Sequence, residues 1–158
     1  MAITTLADVK VLGKLYTQLG EGAPTEATTG TVGDIYVDID EESETYGNSY
    51  VLTSIDGTTY NWQQVTTEDV EIERYIKRAE QDYKKIRGVA FDSDDNVTVY
   101  PDGADLVSAE MVLYLMGVIE GRGTDSDSLG DRNQSYEKKI AGYPVSIVGQ
   151  IDRYVGIA

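Results

Sequence analysis

Histidine and cysteine are both absent from this chain of 158 residues. Their absence removes disulfide frameworks, thiolate nucleophiles, zinc sites of the Cys/His kind and every catalytic triad that uses imidazole as its base. Proline is scarce, at three, while glycine stands near an average share at 16, which argues against a disordered or fibrous chain. Long apolar runs are also missing. The longest, Met111 to Met116, falls far short of the ~20 residues that span a bilayer, and Met1 to Leu12 lacks the basic start and apolar stretch of a leader. The expectation is a protein that stays in the cytosol where it is made, with no membrane partner. Basic residues are few, 13 Lys plus Arg against 28 Asp plus Glu, for a formal charge of −15. Such a surface repels phosphate backbones and argues against a sequence-reading nucleic-acid binder, while it is compatible with a repulsive wall around passing DNA.

The pattern along the chain predicts an α+β protein. Thr4 to Gly13, with Leu6, Val9 and Leu12 at helical spacing behind a threonine, reads as a short helix. Residues 20–33 are rich in Gly, Thr and Glu and read as a loop. Residues 34–39, 50–55 and 58–65 alternate and are rich in β-branched and aromatic residues, which predicts a three-stranded antiparallel meander. Asp56-Gly57 suits the two central positions of a type I′ turn between the last two strands. Val37, Leu52, Tyr60 and Trp62 are the candidates for the buried face. From Thr66 the period becomes helical. Thr66 with Asp69 three positions on resembles a capping arrangement, and Ile72, Ile76, Ala79, Tyr83 and Ile86 form one stripe. Glu73 with Lys77 and Glu80 with Lys84 stand at i, i+4, and Gly88 supplies a C-terminal cap position.

Asp92 to Asn96 reads as a turn, and Val97 to Tyr100 as a short extended piece. Residues 104–120 read as a central helix ended by Gly121, apolar on nearly every side through Leu106, Val107, Met111, Val112, Leu113, Leu115, Val118 and Ile119. A helix with so little polar face is covered by several elements or by neighbouring copies. Residues 124–143 are polar and extended or looped. Pro144 occupies a first helical position before Ile147, Val148, Ile151, Tyr154 and Val155. The predicted organisation is a mainly helical core of three to four helices, residues 1–20 and 66–158, with a small β domain, residues 21–65, inserted in it.

Chemical motifs fail at their diagnostic positions. Asp92, Asp94 and Asn96 begin like a calcium loop, but Val97 and Gly103 stand where glycine and a bidentate glutamate belong. Asp125 and Asp127 meet Gly130 in the sixth place but Tyr136 in the twelfth. Both are ordinary solvated turns. Gly20-x-Gly22 and Gly121-x-Gly123 lack the third glycine of a dinucleotide site. Paired carboxylates of the glycosidase kind are unspecific among 28 acids. No cofactor or metal is expected, and no enzyme. Tyrosine is abundant, at twelve. Tyr36, Tyr50, Tyr60 and Trp62 either form a sugar-stacking platform, the reading of a carbohydrate- or receptor-binding module, or fill a thin sheet poor in aliphatics, the more ordinary outcome. Tyr75, Tyr83 and Tyr114 fall on helices, where core or subunit packing is the expectation.

The segment Val70-Glu71-Ile72-Glu73-Arg74-Tyr75-Ile76-Lys77-Arg78-Ala79-Glu80-Gln81-Asp82-Tyr83-Lys84-Lys85-Ile86-Arg87-Gly88 resembles the second helix of the head–tail connector family of long-tailed bacteriophages. Ala104 to Gly121, the stretch Ser126 to Asp131 leading to Ser135-Tyr136, and the tail Gly142 to Tyr154 fit the same family in order, and Met1 to Gly13 looks like its opening helix. The resemblance implies a structural virion protein, an adaptor docked as a homo-oligomeric ring of about twelve copies beneath the portal protein. It would extend the DNA channel toward the tail and meet a neck or tail-completion protein. The location implied is the virion neck, with the host cytoplasm during assembly. Contacts with portal or neighbouring copies would then fall to Leu115, Val118, Ile147, Ile151 and Tyr154, and acids of the lumen or loop to Asp125, Asp127 and Asp131. The segment from Gly20 to Val65 departs from the family's short connection between its first two helices. Its Gly33 to Val37 start resembles small β modules of phage structural proteins. Residues 1–66 hold ten acids against two bases, a balance suited to solvent on the outer wall of a ring.

Overall fold

A computed structural model describes residues 3–88, 91–94, 97–119, 125–129, 132–136 and 139–151. The chain is α+β and divides into two compact units, Thr5–Ile76 and Met1–Thr4 with Lys77–Ala158. The expected boundaries at residues 20/21 and 65/66 do not coincide with this division.

The first unit opens with helix α1, Leu6–Gly13. Its cap is Thr5, whose hydroxyl accepts from the Asp8 amide at 3.2 Å while the Asp8 carboxylate accepts from the Thr5 amide at 2.8 Å, so two otherwise orphaned donors are satisfied reciprocally. The helix stops at Lys14, a non-glycine residue held at φ 52°. Strands β1 (Gln18–Gly20), β2 (Ile35–Asp38), β3 (Ser49–Asp56) and β4 (Thr59–Val65) then form one sheet in the order β1-β2-β3-β4. β1 runs parallel to β2, and the other two pairs are antiparallel.

The three-stranded antiparallel meander is therefore corrected to a four-stranded mixed sheet. β1 carries one apolar residue in three and ends in glycine, so no alternation marks it. Its place is fixed from outside, by Thr17, whose amide donates to the Ile35 carbonyl at 2.8 Å and whose hydroxyl accepts from the Ile35 amide at 2.7 Å. The β3–β4 hairpin forms, with its turn one residue later than expected. Asp56 pairs with Thr59, leaving Gly57 and Thr58 as the loop. Gly57 alone has positive φ, the pattern of a II′ turn.

Side-chain alternation sorts the sheet into two faces. Val37 and Ser49 lie on the face toward α1, where Ala7, Val9 and Ile72 are also buried. Tyr36, Tyr50, Leu52 and Trp62 share the opposite face, which the 21–34 loop covers. The Tyr36 hydroxyl donates to the Gly22 carbonyl at 3.0 Å and the Trp62 indole to the Thr28 carbonyl at 2.9 Å. Of the candidates for a buried face, Val37 and Leu52 are fully buried. Tyr60 and Trp62 are half-buried, and Tyr36 and Tyr50 take the interior places instead.

Helix α2, Thr67–Arg87, runs through the point where the units divide. Ile72, Ile76, Ala79 and Tyr83 are buried as the stripe predicts, Lys84 bonds Glu80 at 2.9 Å, and Gly88 takes a left-handed φ of 75°. In the second unit follow the antiparallel pair β5 (Asp92–Asp94) and β6 (Val97–Val99), helix α3 (Ala104–Leu115), the pair β7 (Asp125–Leu129) and β8 (Arg132–Tyr136), the short pair β9 (Lys139–Ile140) and β10 (Tyr143–Pro144), and the single turn α4 (Val145–Val148). The mainly helical core is corrected as well. The described helices share the two units with a mixed sheet and three two-stranded pairs.

α3 supplies much of the second unit's interior, with Val107, Met111, Val112 and Leu113 buried. It ends five residues before the expected end. Gly117, at φ 73°, donates to Tyr114, and Val118 donates to Leu113, the two bonds of a Schellman motif.

Candidate assembly surface and its buried polar supports

Two buried polar centres organise the first unit. Lys10 faces the sheet from α1, 2% exposed at its side chain, and its Nζ donates to Asp69 Oδ1 and to the Gly47 carbonyl, each at 2.6 Å. Asp69 Oδ2 also accepts from the Ser49 amide at 3.1 Å. One ion pair thereby joins α1, the β2–β3 loop, the start of β3 and the first turn of α2. Burial pushes the Lys10 ammonium below its ordinary value, and the hydrogen bond and charge of Asp69, with the charge of Glu73, offset part of that. Gly47 is required here. Its φ is 81°, and a Cβ would stand 3.0 Å from the Ala7 amide nitrogen.

The second centre is Asp38, at the end of β2. Its carboxylate accepts from the amides of Gly22 (2.9 Å) and Asp40 (3.0 Å) and from the hydroxyls of Ser43 (2.7 Å) and Thr45 (2.6 Å). Burial by itself would raise this carboxyl, but the four bonds outweigh it and hold it below the usual carboxylate range. The acidic loop Asp40 to Glu44 is thus built on a fixed frame. Neither centre was legible in the sequence. Asp69 reads as a partner for Thr66, and nothing in the pattern singles out Lys10 or Asp38. The one available signal was a lysine beside Val9 on the apolar side of a short helix.

The expected contact residues separate. Leu115 is half-buried at the end of α3, and Val118, just past it, is 43% exposed. Ile147 and Ile151 are buried in the second unit, packed inward rather than offered to a neighbour. Tyr154 and Asp131 lie outside the described residues. Asp125 and Asp127 stand on β7, paired in register with Tyr136 and Gln134. Leu106, on the first turn of α3, is an exposed apolar residue, at 49%, that was grouped with the buried ones in the sequence.

The four aromatic residues do not form an open platform. Tyr36 packs edge-on against Tyr50 at 6.4 Å and against Trp62 at 5.8 Å, with the polar tips of Tyr36 and Trp62 bonded into the covering loop. In the second unit, the Tyr143 hydroxyl donates to Asp82 Oδ2 at 2.9 Å. Burial, then that bond and the Asp82 charge, pushes its pKa up. Among the described residues no group of three His, Cys, Asp or Glu is placed to hold a metal ion, and no helix is long and apolar enough to cross a membrane.

No family model, curated protein or solved structure matches this chain.

Proposed function

We propose that the chain is a non-catalytic structural subunit that assembles with copies of itself into a ring of about twelve, a head–tail adaptor in the neck of a long-tailed phage. Its axial neighbours are a portal protein and a neck or tail-completion protein, and DNA passes through its lumen without being held. The observation that carries this reading is α3. Its central residues Val107, Met111, Val112 and Leu113 are buried within one unit, while Leu106 at one end and Val118 just past the other remain open to solvent. Exposed single residues are common on monomers, but these two bracket the helix that resembles the connector family's central one. Charge supports the same reading. A net −15 per copy, multiplied around a ring, makes a collar that repels phosphate, which suits a conduit.

Sedimentation and negative-stain imaging of the purified chain, alone and with portal, test the proposal. Val118→Asp is expected to leave the monomer folded and abolish rings, whereas Leu113→Asp unfolds the second unit. Normal rings from both variants overturn it, as does salt-sensitive, micromolar binding of duplex DNA by the assembled ring.

A further inference from the structure

β4 is the outer strand of the mixed sheet, seven residues long, and it is guarded at only one end. The Tyr60 amide donates outward to the Glu26 carbonyl at 3.0 Å, so that loop backbone already stands where a fifth strand would begin. Residues two and four positions on present their backbone groups to the same side. The partner strand gives the same parity. Leu52 pairs with Trp62 yet spends its own amide on Asp34 and its carbonyl on Gly33, so Trp62 must face away from β3. The amides of Trp62 and Gln64 have no hydrogen-bond partner among the described residues, and the Gln63 and Gln64 side chains are exposed.

Edge strands are ordinarily protected from pairing by lysine, proline or an inward charge. Gly57 to Thr67 holds none of these. What surrounds the open segment is acid. Glu26 and Asp56 stand at its hairpin end, Glu68 follows at its helix end, and all three are exposed. The unit Thr5–Ile76 carries 14 acids and 3 bases, with Asp38, Asp69 and Lys10 buried.

We infer that the Trp62–Val65 edge of β4 is a strand-addition site for an extended, lysine- or arginine-bearing segment of a different protein. Main-chain pairing with Trp62 and Gln64 gives the register, and the acids at both ends select a basic strand and disfavour a second copy of this equally acidic chain. The site does not depend on ring formation.

An acetylated, amidated octapeptide of alternating lysine and valine is the probe, titrated into the full chain and followed by amide NMR. Expected are shifts at the Trp62 and Gln64 amides, and weakening of at least about tenfold in Gln64→Pro. That substitution removes an outward N–H and leaves the β3 ladder intact, so far-UV dichroism and the melting temperature should hold. A peptide N-methylated along one edge should fail to bind, which keeps the test valid if Gln64→Pro melts early. A lysine–glycine octapeptide of equal charge should bind weakly and without those shifts. Equal binding by the lysine–glycine peptide or by the N-methylated peptide overturns the proposal, because charge alone would then explain association. No binding of the lysine–valine peptide overturns it too. So does self-association of the chain that Gln64→Pro abolishes, which would assign the edge to a second copy.

Discussion

Replacing Lys10 with methionine keeps the stem and deletes the charge, and the structure gives the consequences. Asp69 would remain 9% exposed at its side chain with the Ser49 amide as its one remaining donor among the described residues, and the Gly47 carbonyl would lose the ammonium 2.6 Å away. Breaking a buried pair from one side costs about 3–5 kcal/mol, because it leaves an uncompensated charge. At this chain length that corresponds to a fall of about 6–20 °C in melting temperature. Lys10→Met with Asp69→Leu removes both charges and takes one partner each from the Ser49 N–H and the Gly47 C=O, a loss of about 1–3 kcal/mol apiece. The double variant should therefore lose clearly less than the sum of the single variants, with a coupling energy above about 2 kcal/mol. Urea unfolding of the four proteins, followed by Trp62 fluorescence, measures the cycle. Additive losses, or a Lys10→Met cost below about 1 kcal/mol, would refute the assignment of this pair as the tie between α1, the β2–β3 loop and α2.

Asp38 has a folded pKa below its unfolded value. Its contribution to stability is therefore fully present above the ordinary aspartate value of about 3.9 and is lost as pH falls through the folded one. Amide NMR during acidification should show the Gly22 and Asp40 amides released in that lower window, and Asp38→Asn should abolish the step. Gly117→Ala places a Cβ at φ 73° in the Schellman turn and is expected to cost about 1–2 kcal/mol with fraying of the last turn of α3, readable by hydrogen exchange at Val118. Ser108, fully buried on α3, has a hydroxyl with no hydrogen-bond partner among the described residues, so Ser108→Ala should stabilise the chain by about 1 kcal/mol in thermal unfolding. A destabilised Ser108→Ala would mean that the hydroxyl has a partner.

Local chemistry in the sequence determined much of the secondary structure. The stripe Ile72, Ile76, Ala79 and Tyr83 is continuous in α2, the alternation of residues 50–65 is the β3–β4 hairpin, and Gly88 ends its helix, because each depends on neighbours within a few positions. Composition likewise fixed which side-chain chemistry is unavailable, since no fold supplies a missing imidazole or thiol. Two local signals were read one step off. The turn belongs to Gly57-Thr58 rather than Asp56-Gly57, and the α3 stop to Gly117 rather than Gly121. In both, one glycine with positive φ decided the geometry. The tertiary structure alone decided whatever required a distant partner. Gln18 to Gly20 is a strand because Ile35 and Tyr36 lie alongside it, and Tyr36 and Tyr50 are interior because the 21–34 loop folds over their face. Lys10, Asp38 and Asp69 are buried because donors and acceptors up to 59 positions away in the chain converge on them. A charged residue in sequence carries the cost of its burial but not the identity of the groups that offset it, and those groups are brought together only when the chain folds.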